Sequence, residues 1–319
     1  MLKPKTLQQA ILHFADPDNC IAFLVKLRWP DGKIICPTCG REDAVFLQNQ
    51  RKWQCKNVHE KRQFSIKVGT IMEDSAIPLD KWLVAIWLIA NCKNGISSYE
   101  VGRALGITQK SAWFLLHRIR LAMQNRTFIK MGGPGSEVEV DETFIGGKAR
   151  NMHRDKHQRR ITATGSKDKT AVLGILERNG EVRASVIPTR RRHIVEAQIR
   201  AHVKAHSAIY TDNLASYDML KHRDYKHGVV DHAERYVDGR IHTNGLENFW
   251  SLLKRGLKGT YVSVEEFHLF RYLDEQVFRY NYRKLAHDGL RFEHVANHIL
   301  GKRLTYAEVT GKVGASAVN

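Results

Sequence analysis

The chain has 319 residues, enough for about two or three domains and at least one sizeable hydrophobic core. Its 51 lysines and arginines outnumber 33 acidic residues and give a net charge of +18, so we expect a polyanionic partner: nucleic acid first, an anionic membrane surface second. No run of about 20 apolar residues is present, which excludes a transmembrane helix, and the N-terminal segment lacks the apolar core of a signal peptide. We therefore expect an intracellular protein.

Changes in composition and periodicity along the chain predict its domain organisation. A Gly-Gly-Pro-Gly-Ser stretch at 132–136 marks the main boundary, because glycine and proline punctuate regular structure. The predicted regions are a helical lead-in (1–30), a zinc ribbon (31–72), a helix-turn-helix-like DNA-binding region (73–131), an α/β domain (132–300) and a C-terminal tail (301–319). The residues after Gly311 are expected to be disordered.

The predicted ribbon carries four metal-ligand residue types at close spacing. Cys36 and Cys39 form a CxxC knuckle, and Cys55 and His59 follow after a short hairpin. Three thiolates and an imidazole suit a tetrahedral, structural Zn²⁺, and a domain this small needs the metal to compensate for its small core. The alternative interpretation is a set of reduced cysteines beside an exposed histidine.

Two short amphipathic helices joined by a glycine turn are predicted next. Ser97 or Ser98 caps the first helix, Gly106 ends it, and Thr108 caps the second. This pattern is typical of a helix-turn-helix that lays its second helix in the major groove of DNA, although helical hairpins in ordinary cores share it. The outward face of the second helix is expected to carry the DNA-binding side chains Gln109, Lys110, Arg118 and Arg120.

The region after the glycine-rich boundary has the pattern of an α/β domain with a mixed sheet. Residues 137–147 alternate as a strand, and two apolar runs about Asn179-Gly180 predict a β-hairpin. A helix and a short strand that ends at Asp212 follow, and further helices come after them. The basic run between the first strand and the hairpin is either a solvated loop or a segment that lies along phosphates.

Three acids stand out by their positions in these elements. Asp141 lies within the first strand, Asp212 ends a later strand, and Glu247 opens a helix. Carboxylates on neighbouring strands and a facing helix can converge on Mg²⁺ or Mn²⁺, and two such ions support phosphoryl transfer. The basic residues expected to contact DNA phosphates on the same helix are Lys254, Arg255 and Lys258.

The start of this helix allows a second interpretation. Asn244 with Glu247 three residues later has the form of an N-cap with its capping-box acid. Both interpretations can hold, since a cap at Asn244 would fix the helix so that Glu247 faces the metals. Glu142 and Asp218 are local competitors for the metal-binding role.

The sequence resembles the IS1595 (ISXO2-like) family of transposases over nearly its whole length. The strand element that ends in two glycines and the HxNxxExFW helix element are highly specific together, whereas the cysteine knuckle alone is not. The shared motifs are CPTCG at 36–40, QFSIKVGTIMEDSAIPLDKW at 63–82, VEVDETFIGGK at 138–148, YTDNLASY at 210–217, HTNGLENFWSLLKRGLKGTY at 242–261 and FRYLDEQVFRYNYR at 270–283. The sequence departs from the family pattern in the second half of the ribbon, where a histidine replaces a nearby second cysteine.

The resemblance implies a DDE-type, RNase H-like catalytic domain behind the zinc ribbon. It implies that Asp141, Asp212 and Glu247 are the metal-binding triad and that Lys254 is the lysine that follows the acid. The implied chemistry is Mg²⁺- or Mn²⁺-dependent hydrolysis at the ends of an insertion sequence, followed by strand transfer without a covalent protein intermediate. The implied partners are double-stranded DNA, as terminal inverted repeats and target, and further copies of the chain. The implied location is the bacterial cytoplasm, in association with the nucleoid.

Two other functions remain open from the residues alone. An RNase H-like nuclease or Holliday-junction resolvase would share the acids but would cut DNA without joining it. A zinc-ribbon DNA-binding regulator with a decayed catalytic domain would bind DNA only, although all three acids and the lysine are present here.

Overall fold

The structure, a computed structural model, consists of two compact units. The first unit is Met1–Gln124 together with Lys284–Asn319, and the second is Asn125–Arg283. The residues that the structure describes are 3–124, 129–146, 169–212, 216, 217, 220, 225–230 and 241–312. Almost all of the basic run after the first predicted strand, Asp218 and the last seven residues lie outside this set. Among the described helices, none combines the length and apolar character needed to cross a membrane.

The first unit begins with two short helices and a small sheet. The helices α1 (Leu7–Phe14) and α2 (Pro17–Arg28) lie on either side of the predicted break and are capped by the side chains of Thr6 and Asp16. The antiparallel strands are β1 (Val45–Leu47), β2 (Lys52–Gln54) and β3 (Gln63–Phe64). Trp53 is the centre of this small core, and its ring packs against those of Trp29, Phe46 and Phe64.

Three helices follow, and their ends match the predicted capping residues. They are α3 (Leu79–Asn91), α4 (Ser98–Leu105) and α5 (Gln109–Met123). Ser97 forms a capping box with Glu100, Gly106 ends α4 in the left-handed region with φ +59°, and the Thr108 side chain accepts a hydrogen bond at the start of α5. These ends were predictable because caps depend on residues close in sequence.

The predicted outward position of Arg118 and Arg120 on α5 is wrong. Their side chains are 4% and 1% exposed, and the Arg118 guanidinium donates to the backbone carbonyl of Leu304 at 2.9 Å. The C-terminal helices of this unit pack on α5, and the ring of Tyr306 contacts that of Phe114. These helices are α9 (Asp288–Ala296) and α10 (Tyr306–Val309).

The second unit is built on a mixed sheet of five strands, as the sequence predicted. Its strands are β4 (Glu137–Ile145), β5 (Thr170–Glu177), β6 (Val182–Ile187), β7 (Ala208–Asp212) and β8 (Lys226–Val230). The order across the sheet is β6-β5-β4-β7-β8, with β4, β5 and β6 antiparallel and with β7 and β8 parallel to β4. The first and last strands in this order were joined through β4, which therefore lies at the centre of the sheet.

The sheet separates two hydrophobic cores. One face packs on α6 (Arg192–His202), and the other packs on α7 (Asn244–Arg255) and α8 (Leu269–Asn281). Side chains alternate along a strand, so Val138 and Val140 of β4 enter the α6 core. The acids between and after them, Glu139 and Asp141, face α7 instead, which explains why polar residues occupy alternate positions of a central strand.

Candidate active site and metal centres

Two of the predicted acids lie side by side on neighbouring strands. The parallel pairing of β4 with β7 places Glu139 opposite Tyr210, so the same register two residues further on brings Asp212 beside Asp141. Carboxylate oxygens of Asp141, Glu142 and Asp212 all lie within 4.8 Å of one another. The structure therefore brings the two predicted strand acids together and adds Glu142, which the sequence suggested only as a competitor.

The environment of these carboxylates favours a bound cation. Burial raises the pKa of Asp141 to about 6, and the nearby charges of Asp212 and Glu247 act in the same direction. Burial likewise raises the pKa of Glu142 to about 7, again with help from the neighbouring acids. Among the described residues, the buried Oε1 atom of Glu142 has no hydrogen-bond partner. Hard oxygen ligands that are buried, close and mutually repelling fit a divalent ion such as Mg²⁺ or Mn²⁺.

Glu247 lies on the helix that faces these strands but outside the close group. It is in the first turn of α7, and its side chain is exposed. Its charge acts on Asp141, yet the acids whose oxygens lie within 4.8 Å of one another do not include it. The third acid predicted from the sequence is therefore near the site, without ligand geometry in this structure.

The start of α7 is stabilised differently from the prediction. Thr243 is the N-cap residue, its side chain makes no capping bond, and Asn244 is the first helical residue. The backbone N–H of Leu246 instead donates to Glu139 Oε2 at 3.1 Å. A carboxylate from β4 thus supplies the negative charge that a helix N-terminus favours, and the predicted cap at Asn244 is wrong.

Glu139 belongs to a buried network that fixes the segment before α7. Its side chain is 1% exposed, and its Oε1 atom accepts a hydrogen bond from Arg178 Nε at 2.9 Å. Arg178 Nη2 lies 2.9 Å from both the Nδ1 atom and the carbonyl oxygen of His242. We call Glu139, Arg178 and His242 the Glu139 clamp. It attaches the N-terminal end of α7 to the centre of the sheet and so positions Glu247.

A tryptophan on α7 orients the first acid. Trp250 Nε1 donates to Asp141 Oδ2 at 2.9 Å. Gly174 of β5 lies opposite Asp141, and a Cβ atom at this glycine would come within 2.6 Å of the Trp250 ring. Only glycine leaves room for the indole at this position, so the hydrogen bond to Asp141 depends on a residue of a third element.

Basic side chains lie next to the acids. Lys254 of α7 is half-buried, while Arg255 and Lys258 are exposed. Burial lowers the pKa of Lys254, the positive charges of Lys258 and Lys169 act in the same direction, and the charge of Asp141 opposes them. A group of cations beside carboxylates can hold a phosphate next to a metal ion.

The predicted DNA-binding face of α5 is reduced to its first turn. Gln109 is half-buried, and its Nε2 atom donates to Ser98 Oγ at 2.8 Å. Lys110 is exposed, with its ammonium 5.1 Å from the centre of the Tyr306 ring. Since helix-turn-helix proteins contact bases mainly with the N-terminal residues of the second helix, this turn remains a candidate surface.

The four predicted zinc ligands converge in the first unit. Ligand atoms of Cys36, Cys39, Cys55 and His59 lie within 4.8 Å of one another. His59 Nε2 is 3.5 Å from Cys36 Sγ, and the sulfurs of Cys39 and Cys55 are also 3.5 Å apart. Three thiolates and one imidazole at these separations fit tetrahedral Zn²⁺, with His59 in the fourth position.

The sequence interpretation missed the residues that position the acids. Glu139, Arg178 and Trp250 were not assigned a role, although the alternating EVEVDE pattern does place Glu139 and Asp141 on one face of β4. Their partners are 39 to 109 positions away along the chain, so no local pattern identifies them.

Comparison with known protein families matches the two parts of the chain separately. Residues 131–281 match the model of the ISXO2-like transposase domain, and residues 15–57 match that of the transposase zinc-ribbon domain. The first match contains Asp141, Asp212 and Glu247. The second contains the three cysteine ligands but ends before His59, so the fourth ligand is supported by the geometry alone.

Known relatives also carry transposon names. A protein in transposable element ISH50 of Halobacterium salinarum is 27% identical over 294 residues, which cover 87% of this chain and 96% of that protein. A transposase-like protein of Haemophilus influenzae is 31% identical over 96 residues, 30% of this chain and 77% of the relative. The male abnormal protein mab-31 of Caenorhabditis elegans is 25% identical over 170 residues, 47% of this chain and 39% of the relative. With a family domain around the acids and a family ribbon around the cysteines, the chain belongs to the IS1595, or ISXO2-like, family of transposases.

Proposed function

We propose that the chain is a DNA transposase that hydrolyses phosphodiester bonds at the ends of a mobile element and joins the freed 3′ hydroxyl to target DNA. The observation that carries this proposal is the pair Asp141 and Asp212, buried on adjacent strands beside Lys254, within the part of the chain that matches the transposase domain. Phosphoryl transfer requires oxygen ligands for metal ions and cations for phosphate in one place, and these residues provide both.

Each residue has a defined role in this proposal. Asp141 and Asp212 hold Mg²⁺ or Mn²⁺, and Glu247 completes the triad from α7. The bound ions activate the attacking oxygen and stabilise the leaving oxygen. Lys254 holds a non-bridging phosphate oxygen as a point charge, and Trp250 keeps Asp141 oriented. Hydrolysis forms a bond from the water oxygen to phosphorus and breaks the bond from phosphorus to the 3′ oxygen; joining reverses these roles at a target phosphate.

We also propose an RNase H-like architecture for the second unit and DNA recognition by the first. Three antiparallel strands followed by two parallel ones, with acids on β4 and β7, support the RNase H-like assignment. The zinc ribbon and the first turn of α5 would bind the terminal inverted repeats as double-stranded DNA, and Arg255 and Lys258 would contact phosphates. Cutting two element ends together requires more than one copy of the chain on DNA.

The third acid gives the test of the proposed function. Glu247→Gln is expected to lower cleavage and joining by about 10²- to 10³-fold, because it removes a charge that acts in the transition state. The assay would use DNA flanking the coding sequence, a target plasmid and Mg²⁺, with cleaved and joined products measured separately. Glu142→Gln is the matched control and should retain most of the activity.

The outcomes of this assay separate the candidate functions. Joined products from the parent protein support a transposase, whereas cleavage without joining indicates an RNase H-like nuclease. DNA binding without either product indicates a regulator. If Glu142→Gln is inactive and Glu247→Gln is active, the third ligand is Glu142 and our assignment of Glu247 is incorrect.

The Glu139 clamp leads to a second prediction for the same site. Glu139→Gln is expected to lower cleavage about 10- to 100-fold and to raise the Mg²⁺ concentration needed for half-maximal activity, as for residues that orient metal ligands. The amide can still accept from Leu246 but no longer balances the charge of Arg178. Glu196→Gln, which removes one partner of an exposed ion pair on α6, is the control and should be neutral.

A double variant distinguishes positioning from a general loss of stability. If Glu139 acts through Glu247, adding Glu139→Gln to Glu247→Gln should cause little further loss of Mg²⁺ affinity. Additive losses would mean that the clamp stabilises the fold without positioning the acid.

A further inference from the structure

One exposed residue after α7 adopts a conformation that its side chain disfavours. The helix continues as a π-helical segment, Gly256–Tyr261, and Val262 then has φ +61° and ψ −55°. The Ser263 N–H donates to the Tyr261 carbonyl at 2.6 Å, which closes a three-residue γ-turn of the rare, strained type. The Val262 side chain is 78% exposed, so burial of this β-branched residue in the core does not offset the strain.

The structure holds this turn from both sides. Before Val262, the Tyr261 hydroxyl donates to the buried carboxylate of Glu275, and its ring packs edge-on against Tyr272 with centroids 4.7 Å apart. After it, Glu266 Oε1 accepts a hydrogen bond from Thr170 Oγ1 at 2.6 Å. Strained residues persist where the surroundings fix them, and they concentrate at functional sites.

The turn lies at the same end of the sheet as the acids. Thr170 pairs with Ile145, which is four residues beyond Asp141 on β4 (145 minus 141), or about 13 Å along the strand. Lys254, Lys258 and Val262 follow one another at intervals of four residues, and the charge of Lys258 acts on Lys254. An exposed apolar side chain therefore continues a row of cations that starts beside the carboxylates.

We propose that Val262 is a contact for duplex DNA next to the reacting phosphodiester, with its methyl groups against a base or sugar edge and Lys258 on a flanking phosphate. This inference rests on the proposed function, since it uses the same substrate. DNA is the occupant that the charges favour, because the neighbouring side chains are basic. An apolar group beside phosphate-binding cations is how proteins contact or separate base steps while cations follow the backbone.

The test compares Val262→Gly with Val262→Thr in the full-length, zinc-loaded protein. Glycine adopts this backbone conformation without strain, so Val262→Gly should melt no lower than the parent. Its affinity for a fluorescent duplex from the DNA flanking the coding sequence should nevertheless fall about tenfold, the loss expected for one buried valine side chain. Val262→Thr keeps the shape and the strain and should lose affinity by several-fold, while Val186→Thr, at another exposed valine of this unit, should not.

The salt dependence of binding distinguishes an apolar contact from a charged one. Lys258→Ala should reduce the slope of log affinity against log salt concentration by about one, whereas Val262→Gly should leave the slope unchanged. Unchanged affinity in both Val262 variants would overturn the proposal, as would a loss of self-association in sedimentation with DNA binding intact, which would assign the turn to a second copy of the chain. Failure of the parent to bind or cut DNA would instead count against the proposed function itself.

Discussion

Asp141→Asn is expected to abolish DNA cleavage and joining, with a loss of at least about 10³-fold, while the fold is retained. The asparagine side chain can still accept the hydrogen bond from Trp250, so the packing of α7 on the sheet is preserved. The negative charge between Asp212 and Glu142 is lost, and with it the principal ligand of a divalent ion. The measurement is the rate of strand cleavage at saturating Mg²⁺, and a variant within tenfold of the parent would show that Asp141 holds no catalytic metal.

The stability of the same variant provides an independent readout. The pKa of Asp141 is about 6 in the folded protein and 3.8 ordinarily, so the folded state binds the extra proton between these values. By linkage, its contribution to stability is present below about pH 4 and is lost as the pH rises through about 6. Without added Mg²⁺, Asp141→Asn should therefore be more stable than the parent at pH 8, by about 1–3 kcal/mol.

Urea unfolding at pH 5 and pH 8, with and without Mg²⁺, measures this effect. Mg²⁺ should stabilise the parent at pH 8 and leave Asp141→Asn nearly unchanged, because only the parent binds the ion. A variant that is less stable than the parent at pH 8 would contradict the assignment of a buried, ionised acid at this position.

Cys36→Ser is expected to remove zinc from the ribbon and to unfold that region. The parent should contain about one zinc ion per chain, and structural zinc contributes on the order of 10 kcal/mol to the folding of such small domains. Trp53 is 4% exposed in the ribbon core, so its fluorescence should shift to longer wavelength when the metal is lost.

Elemental analysis and tryptophan emission measure these two changes. Cys92→Ser is the matched control, because Cys92 is outside the four-ligand cluster and its replacement should leave the zinc content unchanged. His59→Ala tests the fourth ligand separately and should lower zinc affinity with less effect on the core. Stoichiometric zinc in Cys36→Ser would rule out the proposed ligand set.

Local patterns were sufficient for most of the regular structure. The Asn179-Gly180 turn between two apolar runs predicted the β5–β6 hairpin, and Asn179 has the positive φ that such turns require. The caps at Ser97 and Thr108 were readable for the same reason, since each depends on residues within three positions. Family resemblance added the metal-binding role of the acids, which the residues alone could only suggest.

Contacts between distant residues decided the rest. Glu139, more than 100 positions before Leu246, stabilises the helix start that Asn244 was expected to cap. Helical periodicity placed Arg118 outside, but a segment from the far end of the chain covers it and supplies a carbonyl for its charge.

The sequence by itself determined the strands and helices, the ribbon ligands and the pairing of acids by strand position, because hydrogen bonding along the backbone and side-chain alternation are local. Only the tertiary structure decided which groups complete the site. Asp212 lies beside Asp141 because of the parallel register of β4 with β7, and Glu142 joins them because burial leaves one of its oxygens without a partner among the described residues. Register and burial depend on how distant segments pack, and no pattern within one segment specifies them.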